Sequence, residues 1–183
     1  MRVQILGAAA LTLIVGACGG IQVDYDYNPE TDFTRYRTFA WAEGSGSGND
    51  SRVNNDLVDQ RFRRAIESEL VSRGMEKRAS GQPDVFVGYQ MALDDRINYQ
   101  TINTYYGSGW GYRGVYGRVG TTQTTARPYT VGTLVVDFYD ARQRELVWRG
   151  SGEGKVNLAR SPQESQEQIN QAVTRILRDF PVR

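Results

Sequence analysis

Only two stretches of this chain repeat apolar residues at helical spacing, while the other patterned stretches alternate with period two, and few folds can bury both kinds of face. The second helical stretch is the better marked. Ser161 stands at an N-cap position with Pro162 directly after it, and Glu164 lies three residues beyond the cap, so two orphan amide donors can be satisfied reciprocally. Ile169, Ala172, Val173, Ile176, Leu177 and Phe180 then form an apolar stripe that Pro181 stops. The first helical stretch runs from about Ser51 to Arg73, carries Leu57, Val58, Phe62, Ala65, Ile66, Leu70 and Val71 at three-to-four spacing, and has Gly74 as its C-terminal cap.

The alternating stretches predict strands. Val23, Tyr25 and Tyr27 alternate with Asp24 and Asp26 until Asn28-Pro29; Tyr36 to Trp41 forms a second short strand with Phe39 and Trp41 on one face. Gly44-Ser45-Gly46-Ser47-Gly48 reads as a flexible loop. Asp84 opens a strand in which Val85, Val87, Tyr89 and Met91 alternate with Phe86, Gly88 and Gln90, apolar enough on both faces to be central. Leu134, Val136 and Phe138 alternate in the same way before a turn around Asp140 to Gln143, and Leu146 to Gly150 completes a β-hairpin. The stretch from about 94 to 128, rich in Gly, Tyr and Thr, is expected to be an excursion or an irregular hairpin. The fold class is therefore α+β: a two-layer sandwich, mainly antiparallel, with both helices on one face.

The N-terminus bears on compartment. Arg2 precedes an apolar run from Ile5 to Val15 that ends in Gly16-Ala17, the order of a signal peptide, and about eleven residues is well short of the roughly twenty that span a bilayer. Val15-Gly16-Ala17-Cys18 resembles the lipobox of bacterial lipoproteins, which makes Cys18 the expected lipidation site; the small residues also suit an ordinary signal peptidase, which would leave a free thiol. The expected organisation is a signal peptide over 1–17, a lipidated tether over 18–22 and one domain over 23–183. Without Arg2 the chain holds equal numbers of basic and acidic side chains, which gives no long-range attraction to nucleic acid or anionic lipid. Membrane attachment then rests on the lipid. Resemblance to lipoproteins of enteric bacteria, in which an aspartate after the cysteine retains the protein at the inner membrane, implies from Gly19 an outer-membrane destination, with the domain expected on the periplasmic side.

Catalytic motifs are scarce. The sequence contains no histidine, the side chain best suited to proton transfer near neutral pH and the commonest transition-metal ligand. With Cys18 committed to acylation, no catalytic thiol remains, so no enzyme activity, cofactor or metal is expected. Asp24-x-Asp26-x-Asn28 starts like a calcium loop but puts Pro29 where glycine is needed and Arg35 where a bidentate glutamate belongs. Gly109-Trp110-Gly111-Tyr112-Arg113-Gly114 lacks the flanking strand and helix of a dinucleotide site, and the glycines from Gly150 to Gly154 lack the spacing of a phosphate loop. Phe39, Trp41 and Trp148 fall to packing, and Asp137 and Asp140 to capping the hairpin turn. The candidate binding surface is the cluster Tyr105, Tyr106, Trp110, Tyr112 and Tyr116 with Arg113, joined by Tyr99, since aromatic rings with polar edges anchor proteins or stack on sugars.

Val23-Asp24-Tyr25-Asp26 with Phe33, Tyr36 and Phe39-Ala40-Trp41, together with Gly132-Thr133-Leu134-Val135-Val136-Asp137 and Leu146-Val147-Trp148-Arg149-Gly150, resembles the bacterial lipoprotein family of the domain of unknown function 4136. The resemblance covers nearly all of the chain after Cys18; it implies a small α+β envelope domain and supplies no catalytic residues. The expected role is a non-catalytic structural or assembly module touching envelope proteins, the alternative being a glycan or small-ligand binder using the loop 99–116. Intact-mass analysis of detergent-extracted protein should show a diacylglyceryl adduct on Cys18 that Cys18→Ala removes. An unmodified thiol in the membrane fraction would overturn the anchor.

Overall fold

Two helices lie against one face of a seven-stranded mixed sheet in the computed structural model, which describes residues 20–48, 50–106 and 119–181. In chain order the elements are β1 (Gln22–Tyr27), a 3-10 turn (Phe33–Arg35), β2 (Thr38–Trp41), β3 (Gly46–Ser47), α1 (Asp56–Ser72), β4 (Glu76–Lys77), β5 (Val85–Tyr106), β6 (Val119–Asp140), β7 (Leu146–Val156) and α2 (Pro162–Leu177). The sheet runs β1-β7-β6-β5-β2-β4, with β3 also against β5. Neighbours from β1 to β5 are antiparallel, whereas β2, β3 and β4 join in parallel. The α+β two-layer architecture is the expected one.

Period-two patterning sets the buried face. Val85, Val87, Tyr89 and Met91 of β5 lie in register beside Asp140, Phe138, Val136 and Leu134 of β6, and all of them are buried. Against this face α1 places Phe62, Ala65, Ile66 and Leu70, and α2 places Val173, Ile176 and Leu177. Phe180, just past α2, stacks on Phe138 with ring centroids 3.9 Å apart and meets Trp148 edge-on. Phe39 and Trp148 are fully buried, whereas Trp41 is half-buried, donates to Glu67 Oε1 at 2.7 Å and lies under the Arg63 guanidinium.

Local chemistry explains where the helices begin and end. The Asn55 side chain accepts from the Val58 amide at 3.0 Å, so α1 starts at Asp56 and not near Ser51. Asp50 and Arg52 bond to each other and hold the preceding turn, which seats Val53 in the core. Gly74, at φ 84°, closes α1 by donating to Val71 O, while the Met75 amide reaches Leu70 O. At α2 the box between Ser161 and Glu164 forms reciprocally, as its spacing predicts. The run Gly44 to Gly48 departs from a flexible loop: Gly46–Ser47 pairs with Gln90 and Met91, and Arg63 donates to Ser45 O at 2.8 Å. Small residues let the chain lie flat along β5, a pairing that composition cannot reveal.

The glycines of β7 have a packing role. Gly150, Gly152 and Gly154 share the helix-facing side of the strand with Trp148 and Val156, and a Cβ on Gly150 would lie 2.2 Å from Trp148 Cη2 and 2.8 Å from Ile176 Cγ2. A Cβ on Gly152 would meet Ile176 at 2.8 Å. The missing side chains admit the indole and let α2 settle on the sheet.

Asp137 and Asp140 divide the work expected of them jointly. Asp140 caps the turn, its Oδ1 accepting from the Arg142 and Gln143 amides at 2.8 and 2.9 Å, while Oδ2 takes the Tyr36 hydroxyl and the Arg35 guanidinium. Asp137 does not cap; it faces Arg149 across the β6–β7 ladder and accepts two guanidinium bonds at 2.6 and 2.8 Å. Burial pushes the Asp140 carboxyl up, but the bonds from Gln143, Tyr36 and Arg142 together with the Arg35 charge outweigh it, leaving the group below its ordinary 3.8.

Two stability measurements follow. Gly150→Ala should lower urea-unfolding stability by about 1–3 kcal/mol through overpacking, while Ser151→Ala on the opposite face changes it by less than about 0.5 kcal/mol. Because the folded carboxyl of Asp140 is the stronger acid, its contribution is complete above the unfolded value and is lost as pH falls through the folded one. Stability should therefore hold near neutrality and drop on acidification below about pH 4, and Asp140→Asn should lower the neutral plateau and make that drop shallower. An unchanged slope in the variant would refute the assignment.

Candidate functional site

Of the two readings of the stretch from 94 to 128, an excursion or an irregular hairpin, the hairpin holds, but it is regular where described: residues 94–106 and 119–128 continue the central ladder. β5 and β6 are each 22 residues long and pair without a bulge from Val85↔Asp140 to Tyr106↔Val119. β7 stops at Val156 opposite Thr130, and β3 pairs no further along β5 than Met91. From Arg96↔Tyr129 onward the hairpin is a two-stranded arm, roughly 35 Å long at strand rise, with both outer edges unpaired among the described residues. A two-stranded ribbon in water is marginal by itself, so this arm inherits its register from the sheet.

Its base is pinned by charge. Arg52 bridges Asp50 and Asp95, and the Thr130 hydroxyl donates to Asp95 at 2.8 Å. Thr130 first, and then Arg52, hold the Asp95 carboxyl below its ordinary range. Arg96 reaches Asp94 on its own strand and Glu153 on β7. Beyond the base, the side that continues the helix-covered face carries Ile97 beside Pro128 and Tyr99 beside Ala126, with Ile97 55% and Tyr99 66% exposed. Among the described residues no helix covers them. Pro128 also lacks an amide, which weakens that edge as a template for further strands.

The sequence-derived binding residues divide accordingly. Tyr105 and Tyr106 end β5, their backbones opposite Gly120 and Val119, and Tyr99 projects from the arm. Trp110, Tyr112, Arg113 and Tyr116 lie outside the described residues, as does Cys18. Among the described residues no group of three or more His, Cys, Asp or Glu could hold a metal ion, and no helix is long and apolar enough to cross a membrane.

A second feature was not anticipated. Between the sheet and the first turns of both helices a cavity of about 290 Å³ opens to solvent. Gly132, Gly152 and Gly154 line it on the sheet side, Val58 and Phe62 of α1 and Ile169 and Ala172 of α2 on the helix side. Among the described residues, Arg52, Arg61 and Arg160 are its charged lining residues and no carboxylate lines it. Alternating glycines in β7 were the visible signal, but by themselves they mark only the close approach of Ile176 and Ile21 to the strand.

Position ties these features together. β1 runs antiparallel to β7 with Gln22 opposite Glu153, so the chain enters the sheet at the end where β7 finishes and the arm begins. Ile21, just ahead of β1, lines the cavity and lies over Gly152 and Gly154. Entry point, cavity and arm base thus share one end of the domain.

Comparisons with known proteins agree with the fold. Among curated proteins none matches the sequence. A PDZ domain protein from Parabacteroides distasonis is similar in structure at 16% identity and a TM-score of 0.53; the match covers 87% of this chain and 35% of that one, so the chain spans about a third of that protein's length. A PelC variant from Paraburkholderia phytofirmans, solved as a dodecamer, is similar at 10% identity and a TM-score of 0.52, over 90% of this chain and 99% of that one. At such identities these likenesses concern the fold alone. The family model described as a domain of unknown function, DUF4136, matches residues 23–182, and the chain belongs to that family.

Proposed function

We propose that the protein is a lipid-anchored envelope lipoprotein, held at the outer membrane through Cys18, that works without catalysis by presenting the β5–β6 arm to an envelope protein. The observation that carries this reading is the arm itself: a long ribbon that leaves the sheet with, among the described residues, two unpaired edges and an uncovered row of Ile97, Tyr99 and Pro128. Ribbons of this kind bind by pairing an edge or by burying one face, and aromatic and β-branched side chains supply the contact area. The absence of histidine from the sequence and the commitment of Cys18 to acylation support a non-catalytic role.

The tether supports the location of the partner. Cys18 precedes β1 by so few residues that the intervening chain reaches at most roughly 14 Å, so an acylated cysteine keeps this end of the domain near the leaflet. The arm leaves from that same end. Its partner is then a protein at or near the membrane surface.

Photo-crosslinking in intact cells tests the reading. A crosslinkable residue at Tyr99 or Thr101 should give a discrete adduct with an envelope protein, one at Glu76 on the far edge of the sheet should give none, and Cys18→Ala should weaken the adduct severalfold through loss of local concentration. Absence of any adduct from the arm above the Glu76 background would overturn the proposal.

A further inference from the structure

The cavity beneath the helices has a shape and charge that the arm does not account for. Its walls come from Val58, Phe62, Met91, Leu134, Ile169 and Ala172, which offer no charge to a ligand inside. Its glycines are closely covered by neighbouring side chains, since a Cβ on Gly132 would lie 2.6 Å from Val156 and 2.7 Å from Met91, so the free volume lies between those side chains and the helices. About 290 Å³ is near the lower end of the roughly 300–1,000 Å³ in which proteins bury a small organic molecule.

The charged lining has one sign. Arg52 is already engaged by Asp50 and Asp95, but neither Arg61 nor Arg160 lies within ion-pair distance of a carboxylate among the described residues. Arg160 feels Glu164 only at longer range, and Glu164 is itself bound to Ser161. An apolar interior beside two cations without ion-pair partners selects a molecule with a hydrocarbon body and an anionic end. A sugar would leave the apolar walls unused, and a nucleotide has too little hydrocarbon.

We propose that this cavity binds the acyl chain of a diffusible single-chain anionic amphiphile of the fatty-acid type, with its head against Arg61 and Arg160. The location supports it, and this part rests on the lipid-anchor reading: Ile21 lines the cavity, so an acylated Cys18 three residues earlier holds it close to a source of such molecules. The chain's own lipid is the other candidate occupant. A diacylglyceryl thioether carries no anionic head, so it leaves the arginines unexplained.

Calorimetric titration of laurate into the full chain carrying Cys18→Ala, below the micelle concentration, tests binding independently of anchoring. Saturable one-to-one binding is expected. Arg61→Gln with Arg160→Gln should weaken laurate by about tenfold or more while leaving neutral lauryl alcohol unchanged. Ala172→Phe, or Val58→Phe if the first does not fold, should abolish binding of both probes in a chain that still melts cooperatively. The acylated wild-type chain should bind laurate as the Cys18→Ala chain does. Failure of laurate to bind, binding untouched by both cavity-filling variants, equal loss of laurate and lauryl alcohol on removing the arginines, or binding by the Cys18→Ala chain and not by the acylated one would each overturn the proposal. The mass of the N-terminal cysteine reports on the anchor separately.

Discussion

The ladder between β5 and β6 is the constraint on which the other strands depend. Among the described residues, β2 and β3 attach only to β5 within the sheet apart from β2's bond to the β4 edge, and β1 reaches the sheet only through β7 on β6. Register on this ladder decides which side chains meet the helices, since a slip of one residue would send Val85, Val87, Tyr89 and Met91 to the open face. The penalty for that slip is large because all four are buried, so the fit of the core fixes the alignment far from the hairpin's turn. The arm is ordered by the same alignment, carried outward past the last strand that flanks it.

The layer between helices and sheet is not uniform. At the end farthest from the arm, Phe138, Trp148 and Phe180 pack ring against ring, and Tyr36 is tied to the buried Asp140. At the other end, glycines of β6 and β7 face the first turns of α1 and α2 across the cavity. Both ends belong to one apolar cluster, and the cavity lies at the end away from the aromatic rings. Side-chain volume along β7 falls from Trp148 to glycine, and this change lets Trp148, Ile176 and Ile21 lie directly on the strand.

Much of this fold was legible because the signals were local. The Ser161–Glu164 box, the Gly74 cap and the alternation from Leu134 to Phe138 each require only neighbours in sequence, and each holds. Where the reading departed, a distant partner decided the outcome. Gly46–Ser47 becomes a strand only because Met91 offers a free edge, and Asp137 turns from the hairpin turn to Arg149 because that guanidinium lies opposite it in register. The stretch after Asp94 lacks an aliphatic face and so carries no amphipathic signal; its order comes from pairing with 119–130, which no local pattern encodes. The candidate site was legible only in part. The aromatic composition marked the hairpin, whereas Arg61, Arg160 and the glycines of the cavity come from four separate elements or connections and look unremarkable in sequence.

The uninterrupted pairing of the arm also limits how its length can vary. Side chains alternate sides along each strand, so inserting one residue into one strand alone would create a bulge that leaves a residue unpaired and bends the ribbon. Adding a matched pair, one residue to each strand, preserves alignment at the root but exchanges the faces shown at the tip. Only increments of two per strand conserve both. Reach can therefore be tuned in steps of about 7 Å without altering what the tip presents, which makes the projection a ruler with discrete gradations.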